Sequence, residues 1–147
     1  MREQMKSSKI VVVGSSNTDM IMQLEKIPVP GETVIGGEFS TAAGGKGANQ
    51  AVAAARAGGN VIFIASVGKD SLGAQAVEGF IRDGINIEHI EKVDNSASGV
   101  ALIFVDKKGE NSIAVASGAN LGLLPGSIDN SKKVIADKIY KIYTDIT

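Results

Sequence analysis

The residues with the most chemistry to offer lie in two short runs, Asn17-Thr18-Asp19 and Ala43-Gly44-Gly45-Lys46-Gly47-Ala48-Asn49. The second places glycines where an irregular segment enters an Ala-rich helix. Glycines let a ligand approach the backbone closely, and the first turn of a helix points N–H groups outward, which makes the junction a site for polar ligands. Lys46 offers donors only, whereas Asn49 offers a donor pair and an acceptor. Asp19, with Asn17 two residues before it, follows the first apolar run of the chain. A carboxylate accepts from two hydroxyls at once with charge-assisted strength, and the carboxyl end of a strand is where open α/β sheets bind ligands. Donors and acceptors in this mixture suit a neutral polyhydroxyl compound such as a sugar. Asn17 as an Asx-turn residue, Asp19 as a turn cap and Asn49 as a solvated helix residue are the plainer alternatives.

The glycine run is not a standard phosphate loop. A Walker A loop needs Gly where Ser40 stands and Ser or Thr after the Gly-Lys pair; the chain has Gly47 there. A dinucleotide fingerprint read from Gly45 needs a glycine at Gln50 and a strand directly before it, and has neither.

The elements that must position these groups read as an α/β alternation. Ile10–Val13 is a short β-branched run of the kind buried on both faces of a parallel sheet. Ser15–Asp19 reads as a polar loop, Met20–Ile27 as a half-exposed strand, and Thr33–Phe39 as another strand with a bulge at Gly36-Gly37. The spacing predicts a helix over Lys46–Ala57 stopped by Gly58-Gly59, a buried strand over Val61–Val67, and a helix capped by Asp70 with Leu72, Ala76 and Phe80 on its core face. Gly99–Asp106 and Asn111–Ser117 form a hairpin around a solvated Lys107-Lys108 tip, and Ser127–Asp137 a weaker helix. His89 reads as a surface strand position. Alternating strands and helices imply an α/β sheet, with the extra strands at about 20–39 and 99–117 forming a second, small sheet.

Composition excludes several classes. The 147 residues suffice for one domain with a core, and 44% hydrophobic with 21% charged residues is ordinary for a globular protein. A net charge of −1 and 4% aromatic residues argue against nucleic acid or an anionic membrane as partner. No cysteine and one histidine leave no disulfide, thiolate metal site or His-based metal cluster. Met1–Lys9 is polar and no apolar run approaches a membrane span, so the expectation is a cytoplasmic protein.

Taken together, Gly14-Ser15-Ser16-Asn17-Thr18-Asp19, Pro30-Gly31-Glu32-Thr33, Gly44 to Ala51, Val67-Gly68-Lys69-Asp70 with Gly73, and Gly118-Ala119-Asn120 resemble the ribokinase group of the PfkB carbohydrate kinases. The resemblance covers about residues 9–136. It implies a ribokinase-like α/β fold, a partial three-layer parallel sheet with a small β-sheet lid. It implies that Asn17 and Asp19 hold ribose hydroxyls and that Gly45, Lys46 and Asn49 complete the sugar site. Gly44-Gly45 would be the hinge of the lid, Ile103 would press on the sugar face, and two lids would pair in a homodimer. The activity implied is phosphorylation of D-ribose to ribose 5-phosphate by ATP with Mg²⁺.

The chain also departs from the family. It has no Asp-Thr-x-Gly-Ala-Gly-Asp run, which carries the anion hole and catalytic base, and no Asn-x-x-Glu motif tied to Mg²⁺. No catalytic or metal-binding residue can therefore be carried over, and ATP binding by this chain alone is not expected. Lys138 to Thr147 replaces an expected buried strand and acidic sugar contact, which suggests a truncation with a frameshifted tail. The alternatives are a non-catalytic ribose-binding or dimerising module, and a kinase for another sugar or a nucleoside.

Overall fold

The computed structural model describes residues 9–131, 135 and 139–143. In chain order the elements are β1 (Lys9–Val13), β2 (Asn17–Leu24), β3 (Glu38–Gly44), α1 (Lys46–Arg56), β4 (Asn60–Gly68), α2 (Ser71–Arg82), β5 (Ile90–Val93), β6 (Gly99–Asp106), β7 (Asn111–Ala116), a 3₁₀ turn (Gly118–Gly122), α3 (Pro125–Asn130) and β8 (Ile139–Tyr143). They build two four-stranded sheets, one ordered β5-β4-β1-β8 and the other β3-β2-β6-β7.

The first sheet is parallel throughout, with Val12 opposite Phe63 on one side and Ile142 on the other. Its central strands alternate between two apolar layers, which is why β1 and β4 read as continuous hydrophobic runs. Val12, Val61, Phe63 and Ala65 meet Ala48 and Ala51 of α1 and Phe80 of α2. Val11, Val13, Ile62 and Ile64 point the other way, onto Leu123, Ile128 and Ile135. Phe80 meets Phe63 edge-on, centroids 5.1 Å apart. Burying each such side chain contributes about 1.5–3 kcal/mol. The result is three layers, helix on sheet on helix, as the sequence implied.

The second sheet is the small sheet that the resemblance implies as a lid, and it is called the lid below. β2 pairs antiparallel with β3 and parallel with β6, and β6 forms the expected hairpin with β7. Two boundaries differ from the sequence reading. Asn17–Asp19 is not a loop but the first turn of the pleat in β2, and β3 runs over Glu38–Gly44, not over 33–39. β3 is exposed on both faces before Gly44 and β2 is not fully buried before Leu24, so polar residues occupy strand positions and blur the pattern. Gly37, with φ 106°, ends the irregular stretch before β3.

Residues 139–143 form a strand parallel to β1, so the tail read as replacing the family's buried strand itself supplies a strand at that edge of the sheet. Residues 144–147, and most of the helix expected beyond Asn130, lie outside the described residues. His89 sits in a turn before β5 and shares a hydrogen bond with Ser131 Oγ (2.9 Å).

Candidate functional site

β1 ends at Val13, and the chain crosses through Gly14–Ser16 directly into the lid strand β2. This crossing brings Asn17 and Asp19 to the carboxyl end of the parallel sheet. In the lid, Asn17 stands opposite Gly44 and Gly99, Asp19 opposite Ala42 and Ala101, and Ile103 opposite Ile113. Because side chains alternate across a strand, Asn17, Asp19, Ala101, Ile103, Ile113 and Val115 share one face. That face and the start of α1, at Gly45 and Lys46, enclose a cavity of about 280 Å³. It joins an apolar wall from β6 and β7 to a polar edge of an amide, a carboxylate, an ammonium and a helix N-terminus. Such a set can take hydroxyls on one side and C–H groups on the other.

Asn17, Asp19, Gly45 and Lys46, named from sequence, all line this cavity, and so does Ile103. Asn49 does not. It is exposed and faces an adjoining groove of about 610 Å³ between α1 and α2, which also reaches Asn17 and Gly44. Asn17 thus borders both spaces.

The glycines have packing reasons. A Cβ on Gly44 would overlap the Asp19 carboxylate. Gly45 has φ 95° and a Cβ there would lie 2.7 Å from Ser15 O. Gly47 lets α1 rest on the Gly14 backbone, a Cβ falling 2.6 Å from its carbonyl carbon, while Ala48 N–H donates to Ser15 O (2.9 Å). Gly45 and Lys46, at the start of α1, line the cavity and no side chain caps the helix, so the positive end of the helix dipole lies at the cavity edge. Burial pushes the Asp19 carboxyl above its ordinary value, as expected for a carboxylate against an apolar wall.

Asn120 is the residue that sequence reasoning noticed only as part of a motif. It is 2% exposed. Its Oδ1 accepts from Ser16 N–H (2.9 Å), and its Nδ2 donates to Ser16 O (3.2 Å), Asn17 Oδ1 (2.8 Å) and Ser117 O (3.0 Å). The bonds tie the β1–β2 crossing to the end of β7. A second clamp holds the β5–β6 crossing. Asp70 caps α2 by accepting from Gly73 N–H (2.8 Å), and also accepts from Ser98 N–H and Ser98 Oγ–H (both 2.7 Å). Burial opposes ionisation of Asp70, but these bonds outweigh it and hold its carboxyl below the ordinary value. Asp70 is therefore the helix cap expected from sequence, with a further duty toward the lid.

Among the described residues no group of three His, Cys, Asp or Glu could hold a metal ion. No helix among them is long and apolar enough to cross a membrane.

Residues 7–142 match the family described as pfkB family carbohydrate kinase. A ribokinase from Haemophilus influenzae is 44% identical over 127 residues, covering 86% of this chain and 42% of that protein. A deoxyribokinase from Salmonella typhi is 41% identical over 122 residues, covering 83% of this chain and 40% of that protein. The structure of ribokinase from Giardia lamblia superposes with a TM-score of 0.83 at 33% identity, over 92% of this chain and 42% of that one. Arabidopsis thaliana ribokinase, complexed with ribose and ATP, superposes with a TM-score of 0.74 at 30% identity, over 93% of this chain and 53% of that one. The chain spans 25 to 43% of the length of the curated relatives it matches.

Proposed function

The chain belongs to the PfkB family of carbohydrate kinases, and we propose that it is the sugar-holding, N-terminal part of a ribokinase-type domain. In the complete enzyme the γ-phosphoryl group of ATP, with Mg²⁺, passes to the primary hydroxyl of D-ribose in the cytoplasm. The observation that carries this reading is the cavity that joins Asn17, Asp19, Gly45 and Lys46 to the apolar wall at Ile103. Asn17 and Asp19 would take ribose hydroxyls, Lys46 and the start of α1 would donate to its oxygens, and Ile103 would pack on its C–H face. Asn49 would join from the adjoining groove. Gly44-Gly45 would be the hinge on which the lid closes and excludes water.

The residues in hand do not fit ATP and Mg²⁺. The family's anion-hole and base motif has no match in the sequence, and the described residues hold no cluster for a cation. Phosphoryl transfer needs a positioned nucleotide, charge neutralisation and a base, so the chain alone binds sugar and turns nothing over. Two lids would pair in a homodimer through their exposed apolar residues.

A second reading, a site for 2-deoxyribose, is favoured by the deoxyribokinase relative. Calorimetric titration of the purified chain with ribose and with 2-deoxyribose, beside an ADP-release assay with ATP and Mg²⁺, tests all three statements. Heat with ribose and no ADP is expected. Heat with deoxyribose alone selects the second reading, heat with neither overturns the sugar site, and ADP release overturns the assignment of a non-catalytic part.

A further inference from the structure

Which end of the Asn17 carboxamide faces the cavity follows from a chain of hydrogen bonds that begins at a backbone N–H. Ser16 N–H can only donate, so the Asn120 atom 2.9 Å from it must be the acceptor, Oδ1. The other arm of Asn120 is then its NH₂ group, and it lies against two carbonyl oxygens, Ser16 O and Ser117 O, which confirm the assignment. That NH₂ group can bond only to an acceptor, so the Asn17 atom 2.8 Å away is Oδ1. Asn17 Nδ2 makes no hydrogen bond with another described residue, and Asn17 borders both the cavity and the groove beside it, with its strand face turned to the cavity. A Cβ at residue 99 would overlap both amides, so Gly99 is what lets them meet.

We propose that Asn120 is a positioning residue that fixes the polarity of the site: it holds the Asn17 amide with its nitrogen toward the cavity. Asn17 then presents donors only, beside the acceptor-only carboxylate of Asp19. The two side chains leave one strand face two residues apart, roughly 6.6 Å along β2. A hydroxyl that donates to Asp19 keeps its lone pairs for Asn17, so adjacent hydroxyls of a polyol are satisfied in one direction. With the Asn17 amide reversed, two acceptors would compete for hydroxyl protons and leave an oxygen unpaired. Asn120 borders the same cavity but is 2% exposed, and its Oδ1 and Nδ2 are already bonded to Ser16, Asn17 and Ser117, so it acts through Asn17.

The ligand clause rests on the sugar reading, whereas the orientation does not, and the experiment separates them. In the NMR spectrum of the uniformly ¹⁵N-labelled chain, the Asn120 side-chain amide protons should exchange slowly with water and those of Asn17 fast. In Asn120→Asp the carboxylate still accepts from Ser16 N–H, but Asn17 must turn its NH₂ inward, so the Asn17 amide protons become slow to exchange. Ribose affinity should fall about tenfold or more, the effect of one hydrogen bond reversed. Should Asn120→Asp fail to fold, Asn17→Asp makes the same replacement of donor by acceptor from the partly exposed side and should lose a similar factor. Fast exchange at Asn120, or slow exchange at Asn17 in the unsubstituted chain, overturns the orientation. Unchanged ribose affinity in both variants overturns its role in binding. The expected exchange pattern with no ribose binding by the unsubstituted chain leaves the orientation standing and removes the sugar reading instead.

Discussion

Asp19, proposed to take ribose hydroxyls, works against the fold. Its carboxylate lies over Gly44 and against the apolar wall, and burial raises its proton affinity. A carboxyl with a folded-state pKa above its unfolded value favours the folded state at low pH, and that contribution is lost as pH rises through the folded pKa. At neutral pH Asp19 is thus a destabilising charge, and Asp19→Asn should raise the melting temperature slightly. The same change removes a charged acceptor and should weaken ribose binding by about 10- to 100-fold, the worth of hydrogen bonds to a charged group. Binding needs the ionised form, so affinity should fall as pH drops through the raised pKa, with proton release on binding near it. Calorimetry in buffers of different ionisation enthalpy and thermal unfolding together check this; a variant that loses stability and keeps affinity contradicts it. Asn17 and Asp19 were legible in the sequence because two polar residues follow a buried apolar run. Asn120 was not, since its partners at Ser16 and Asn17 lie more than a hundred positions away.

At the scale of elements, the helices and the buried strands were legible because their periodicity is set by burial on known faces. The Asp70 cap was legible too, since Asp70 precedes the apolar stripe of α2 that ends on Phe80. What stayed hidden is that the same carboxylate grips Ser98 at the entrance to β6, while Ser98 Oγ accepts from Gly68 N–H (3.0 Å). One side chain joins the end of β4, the start of α2 and the root of the lid. Asp70→Ala removes a cap and leaves Ser98 N–H and Gly73 N–H unpaired, so it should cost about 2–3 kcal/mol in chemical denaturation. Its depressed pKa means that the wild-type contribution is present above the unfolded pKa and is lost as pH falls toward the folded one. The gap between wild type and Asp70→Ala should therefore narrow in acid. By contrast, the exposed pair of Arg56 Nε with Asp83 Oδ1 (2.9 Å), which joins the ends of α1 and α2, is screened by solvent and adds little to stability. The lid boundaries were misplaced because β2 and β3 carry Asp19, Ser40 and Thr41 at positions that a buried strand would fill with apolar residues.

At the scale of the whole molecule, the two sheets differ in how their surfaces are covered. The central strands β1 and β4 of the parallel sheet are covered on both faces, whereas the lid has apolar side chains open on each of its own faces. Ile113 and Val115, on the cavity wall, are 54% and 55% exposed, and Phe39 and Leu102, on the other face, are 61% and 47% exposed. A face of this kind is what an interface covers, and the proposed dimer would place a second lid over the cavity wall. In a two-fold pairing each residue is used twice. A charge at Val115 therefore meets its cost in both copies, and losing roughly 1.5–3 kcal/mol of apolar burial per copy weakens association by about 100-fold or more. Val115→Glu lies on an exposed strand position, so the fold should tolerate it. Sedimentation velocity at micromolar concentration should show a dimer for the unsubstituted chain and a monomer for Val115→Glu, with far-ultraviolet circular dichroism unchanged. A monomeric unsubstituted chain rules out lid pairing, and a Val115→Glu dimer moves the interface away from the cavity wall. If dimerisation also tightens ribose binding, affinity should rise with protein concentration in the unsubstituted chain and stay flat in the variant, because only the former can close the open wall of its site with a second copy.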